Sequence, residues 1–128
     1  MASPGFLHAS LLVALGGGTG AWLRFAAGRL IAAQQFPFAT LAVNLIGSLA
    51  MGLLAGWLAR SGQAGESWRL ALGVGLLGGF TTFSTFSLEL VQLAQRGQAV
   101  QAALYAAFSL AGGIAGLLAG LAMARTFA

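Results

Sequence analysis

The chain has 128 residues, of which 59% are hydrophobic and 6% charged, with six Arg, two Glu, one His and no Cys. Soluble domains carry about 25% charged residues, so this surface must face lipid, and a mean hydropathy of +0.89 excludes a solvated disordered chain. The net charge of +4 marks no nucleic-acid partner, because the arginines are scattered and there is no Lys, and the lack of Cys excludes disulfides and thiolate chemistry.

A membrane helix needs about 20 mostly apolar residues. The first stretch that qualifies covers residues 7–33. It is too long for a signal-peptide core, and no Lys or Arg precedes Arg24, so a cleavable signal is not expected. His8 stands alone and reads as inert. Gly16-Gly17-Gly18-Thr19-Gly20 lacks the spacing, the Lys and the preceding strand of a phosphate loop. Gly16 and Gly20 instead read as a small-xxx-small face that seats a neighbouring helix. Gln34-Gln35-Phe36-Pro37 is polar and ends in Pro, which closes the segment.

The second span, residues 38–59, carries Asn44. A membrane Asn is often interhelical glue, but its amide also offers two donors and no negative charge, which suits an anion. Ser61 to Ser67 is the only substantial loop. The third span covers 68–93. Arg96-Gly97-Gln98 is a tight turn with Gly at a helix C-cap. The fourth span, 99–123, places Tyr105 and Ser109 one turn apart. No stretch is left for a soluble domain, so the chain reads as one all-α domain of four transmembrane helices over residues 1–128.

Orientation follows the basic residues near helix ends. Arg60, Arg69 and Arg125 fall on the side of the N-terminus, and Arg24, Arg29 and Arg96 on the other. Three against three gives no bias. Either another cue or a partner then fixes the orientation, or the chain inserts both ways up, in which case two opposed copies would make the inverted two-fold arrangement that larger transporters build from internal repeats.

Polar residues inside a membrane are costly and functional by default. They concentrate in Gly78-Gly79-Phe80-Thr81-Thr82-Phe83-Ser84-Thr85-Phe86-Ser87, with five hydroxyls and three Phe. The adjacent glycines predict a broken helix near Gly78-Gly79, tolerated at membrane depth only where it is buried or lines a cavity. A break frees backbone carbonyls, good ligands for a small hard cation. Phe83 and Phe86 share one helix face, and an aromatic edge is positive, so rings presented edge-on tolerate an anion. Glu89, close to the end of the third span, reads as a helix-end polar anchor. No nucleophile–base pair, paired carboxylates or metal-ligand cluster is present, so an enzyme is not expected.

Gly17 to Arg24, Thr40 to Gly47 with Asn44, and Gly78 to Ser87 followed by Glu89 together resemble the fluoride channel (Fluc/CrcB) family. The resemblance covers all four spans. It implies an antiparallel dual-topology homodimer with two pores in the bacterial cytoplasmic (inner) membrane, exporting fluoride passively and so reducing its toxicity. It makes Phe83 and Phe86 the aromatic fluoride contacts and Asn44 a pore-lining donor. Thr85, Tyr105 and Ser109 join the polar path, and Arg24 sits in the vestibule. It also implies a structural sodium ion on the dimer axis, held by the backbone carbonyls of Gly78 and Thr81 from both copies. Gly113 departs from the pattern, because some relatives carry Ser there.

Two readings of other classes compete. A small dual-topology proton-coupled multidrug antiporter needs a carboxylate at the centre of the membrane, and its transport would depend on a proton gradient. A structural subunit of a larger complex would show no flux of its own.

Overall fold

The computed structural model describes residues 4–31 and 35–126. Among these, four helices are long and apolar enough to cross a membrane, and there is no strand. Helix α1 is Phe6–Leu30, α2 is Phe38–Ser61, α3 is Glu66–Gln95 and α4 is Ala99–Thr126. The shortest has 24 residues, above the length of about 20 that a bilayer core requires.

The ends of these helices follow local chemistry. The backbone turns extended at Ile31, with ψ 105°. The remainder of the expected first span, Ala32 and Ala33, lies outside the described residues, as does Gln34. Pro37 stands at the N-cap of α2, where its missing N–H costs nothing. Gly62 (φ 54°) opens the short 3₁₀ turn Gly62–Gly65 that leads into α3. Between α3 and α4, Gly97 takes φ 75°. Its N–H bonds the Ala94 carbonyl at 3.0 Å, and the Gln98 N–H bonds the Leu93 carbonyl at 3.0 Å. This Schellman pair satisfies the last carbonyls of α3 and needs the left-handed conformation that Gly adopts freely.

Two packing pairs organise the bundle: α1 lies along the first half of α3, and α2 along α4. Both rest on small residues. A Cβ at Gly16 would strike the Ala71 carbonyl, and one at Gly20 the Leu76 carbonyl. The expected small-xxx-small face of α1 is therefore present, and its partner is α3. Gly52 and Gly120 serve α2 and α4 in the same way, against Leu117 and Leu49. Close backbone approach is the main source of helix attraction where lipid removes any hydrophobic drive.

The first half of α3 is unusual. Residues Arg69–Leu77 form a π-helix, and the Gly78 N–H reaches back to the Gly73 carbonyl. Long π segments are rare and mark functional or strained positions. Helix α3 then stops after Phe80, with Thr81 and Thr82 extended (ψ 159° and 122°), and restarts as Phe83–Gln95. The break expected at Gly78-Gly79 thus falls three residues later. Gly78 and Gly79 remain helical, and Gly79 serves contact: a Cβ there would strike the Gly17 carbonyl of α1.

The buried core is small. Phe86, Leu93, Ala102 and Tyr105 meet between the second half of α3 and α4, with Phe36 and Leu41 against them. Large apolar side chains elsewhere point outward, among them Leu15, Phe25, Phe83 and Ile114, as expected of a chain whose solvent is lipid. The arginines divide as their sequence positions imply. Arg24, Arg29 and Arg96 line one cavity. Arg60 and Arg125 line another, and Arg60 donates to the Ala124 carbonyl. Arg69, close to the Ser61–Ser67 loop, pairs with Glu66 at 2.8 Å.

Candidate functional site

The break in α3 is an accounting problem in hydrogen bonds. An interrupted helix leaves N–H and C=O groups without ladder partners, and each one buried without a partner costs about 1–3 kcal/mol. Here side chains from other helices and from the break itself meet part of that demand. Thr82 caps the second half of α3, its Oγ1 accepting from the Thr85 N–H at 3.1 Å. Asn44 of α2 holds both backbone groups of Thr82: its Oδ1 accepts from the Thr82 N–H at 2.8 Å, and its Nδ2 donates to the Thr82 carbonyl at 3.0 Å. Arg24 of α1 donates through Nε to the Gly79 carbonyl at 3.2 Å. A cation there also complements the negative end of the first half-helix. The Thr81 hydroxyl folds back onto the Leu77 carbonyl at 2.9 Å.

Two cavities flank the break. The larger, about 540 Å³, opens among Arg24, Thr40, Thr85, Glu89, Arg29 and Arg96. The smaller, about 290 Å³, runs along Asn44, Ser48, Phe83, Phe86 and Ser109. Thr82 lines both. The break therefore faces the arginine-rich mouth on one side and the hydroxyl-lined groove on the other.

The residues singled out from sequence separate along this line. Arg24 and Thr85 belong to the mouth. Asn44, Phe83, Phe86 and Ser109 belong to the groove. Ser109 Oγ is buried, with no hydrogen-bond partner among the described residues, so the groove has an unused donor. Phe83 and Phe86 touch, with ring centroids 5.7 Å apart, but they are not equivalent. Phe86 is 6% exposed and Phe83 is 75% exposed. One ring belongs to the core of the chain, and the other projects from it.

Tyr105 lines neither cavity. It is fully buried, with Phe86 at 4.9 Å and Phe36 at 5.5 Å between ring centroids. Its hydroxyl donates to Glu89 Oε2 at 2.7 Å, while Thr40 Oγ1 donates to Glu89 Oε1 at 2.9 Å. Glu89 is therefore not a polar anchor at a helix end. It is a carboxylate held at the inner wall of the mouth by hydroxyls from α2 and α4. Thr40, Thr82, Ser48 and Glu89 were not among the expected site residues. The signal for Glu89 was present, since a carboxylate within a membrane span is functional by default. So was the signal for Thr82, because Thr followed by a helical run is an N-cap pattern.

Gly78 and Thr81 can be tested as a cation site from this geometry. The Thr82 N–H, which an unbroken helix would give to the Gly78 carbonyl, goes to Asn44 instead. The Thr81 carbonyl belongs to an extended residue outside the helical ladder. Both are uncharged oxygens released by the break, the donor type that a small hard cation takes. No group of three His, Cys, Asp or Glu occurs among the described residues.

Comparison with known proteins places this geometry in context. The family described as CrcB-like protein, camphor resistance (CrcB), matches residues 11–121. A protein of Novosphingobium aromaticivorans named fluoride-specific ion channel is 59% identical over 93% of this chain and 98% of its own length. Proteins of the same name from Sphingopyxis alaskensis and Erythrobacter litoralis are 52% and 49% identical. The first covers 88% of this chain and 92% of itself, and the second 95% and 96%.

Proposed function

The chain belongs to the CrcB-like family, and from that premise we propose that it is a fluoride-selective channel giving passive export of fluoride across the bacterial cytoplasmic membrane. It is a multi-pass membrane protein, and its relatives over nearly full length carry the fluoride channel name. The observation that best supports the reading is the continuity of donors across the break, from Arg24 at the mouth, past Thr82 and Asn44, to Ser109 in the groove.

Fluoride is small and strongly hydrated. Moved bare into a low-dielectric medium it would cost tens of kcal/mol by Born reasoning. Only closely spaced donors offset that. Arg24 concentrates anions at the mouth but stays tied to the Gly79 carbonyl, so it attracts without trapping. Beyond it the path offers hydroxyls, one amide and aromatic edges, none with a full positive charge. An ion held by such groups binds and still leaves. Asn44 spends one amide proton on Thr82 and keeps the other for the groove.

The proposal includes an antiparallel homodimer, and the exposed Phe83 ring beside the groove supports it, because a second copy would cover the ring and close the groove. The structural sodium ion belongs on the dimer axis, held by the Gly78 and Thr81 carbonyls of each copy. It would supply a fixed positive charge between the two paths. No catalytic role is assigned to any residue.

The decisive measurement is efflux from liposomes containing only this protein. Fluoride efflux well above chloride efflux, unaffected by an imposed proton gradient, is expected. Flux that requires the gradient would favour the antiporter instead, with Glu89 as its carboxylate. Replacing Phe86 with Ile keeps an apolar core residue but removes the ring edge beside the groove. The expected result is loss of most fluoride flux with the protein still eluting as the same species on gel filtration. Full flux from Phe86→Ile would remove the aromatic role.

A further inference from the structure

The groove below the break carries a donor that the path described so far does not use. Asn44, Gly47, Ser48 and Met51 of α2 all line it, at the spacing that puts them on one helix face. Ser109, Leu110 and Leu117 of α4 line the opposite wall. Moving away from the break, the donors run from Asn44 to Ser109, and beyond Ser48 the walls are Met51 and Leu117, which offer none. One turn after Ser109, α4 has Gly113 and so presents no side chain. A Cβ built there would sit 3.5 Å from Ser48 Oγ. The α2 hydroxyl thus faces a position on α4 that has no side chain, and Gly116, whose Cβ would lie 3.9 Å from Ser48 Cβ, adds none.

The hydroxyl is also available. Ser10, Ser61 and Ser87 each donate back to the carbonyl four residues earlier. Among the described residues Ser48 makes no such bond, although its place in the middle of α2 would allow one. A half-buried hydroxyl in an otherwise apolar stretch has its proton free to turn into the groove.

We infer that Ser48 is a fluoride-contacting residue of the pore, receiving the ion after Ser109 and completing from α2 the polar wall that Gly113 leaves open on α4. The inference rests on the fluoride-channel reading. It predicts a specific exchange between helices: the path needs one hydroxyl at this level, and either wall can carry it. The 3.5 Å separation is ordinary van der Waals contact, so a Ser at 113 fits without displacing its neighbours.

The test is fluoride efflux from liposomes, with gel filtration of every variant. The unaltered protein conducts fluoride; if it does not, the channel reading itself fails and the variants are irrelevant. Ser48→Ala should lower the flux about tenfold, the scale of one neutral hydrogen bond. Ser48→Cys keeps the size with a weak donor and should lose flux likewise. Gly113→Ser in the Ser48→Ala background should restore most of it. Wild-type flux from Ser48→Ala or Ser48→Cys overturns the inference. So does a double variant that elutes normally and stays slow, because Ser48 would then act through packing and not through its proton.

Discussion

Asn44→Asp should abolish fluoride conduction and loosen the break in α3 together. The substitution is nearly isosteric, but it replaces the NH₂ that donates to the Thr82 carbonyl with a second oxygen. Two acceptors then face each other at about hydrogen-bond distance, and an ionised Asp also puts a negative charge beside an anion path. The Oδ1 that accepts from the Thr82 N–H survives, so half of the clamp remains. One orphaned buried carbonyl costs about 1–3 kcal/mol, and thermal unfolding in detergent should report a loss on that scale. Asn44→Ser separates the two roles. Serine is too short to span both Thr82 groups, so stability should fall by a similar amount, yet a hydroxyl donor stays near the groove and some flux should survive. Fluoride-electrode traces on liposomes would show it. If Asp and Ser variants conduct equally while both are destabilised, Asn44 is only a clamp.

That double duty explains what the sequence could and could not reveal. The four spans are legible because length and apolar composition alone determine them, and Gly97 marks its turn because few other residues adopt φ 75° easily. The break was legible in kind but not in place. Adjacent glycines weaken a helix, yet Gly79 is held helical by its contact with Gly17, a partner far away in the chain. The interruption falls where Thr82 finds a better offer, from its own side chain as a cap and from Asn44 as a clamp. Only the second of these is a long-range fact. The π turns over Arg69–Leu77 have no sequence signature of this kind. The place of Glu89 is hidden from the sequence for a similar reason. Counting turns from the helix end put it near the interface, but Thr40 and Tyr105, distant in sequence, converge on both of its oxygens. Tyr105 and Ser109 lie one turn apart and were grouped, yet one holds the wall behind the mouth and the other lines the groove. Helical spacing identifies a shared face, not which cavity that face meets.

The balance of arginines yields the other large effect. Arg24, Arg29 and Arg96 gather at one end of the bundle, and Arg60, Arg69 and Arg125 belong to the other. Basic residues in short loops set orientation, so a chain with three at each end should be easy to bias. Two Lys added to the Ser61–Ser67 loop should make that loop cytoplasmic in nearly every copy. Two Lys added beside Arg96 should do the reverse. Neither change touches the break, the clamp or the glycine contacts, so each variant should fold. The proposed antiparallel dimer needs both orientations, each copy covering the other's Phe83 beside the groove. Cells making either biased variant alone should therefore be about as sensitive to fluoride as cells lacking the protein, and cells making both should regain resistance. The measurement is growth over a range of fluoride concentrations, with each variant's orientation checked by a reporter fused after α4. Full protection from a single biased variant would mean that one orientation suffices, and the antiparallel pairing would have to be abandoned even though the chain still conducted fluoride.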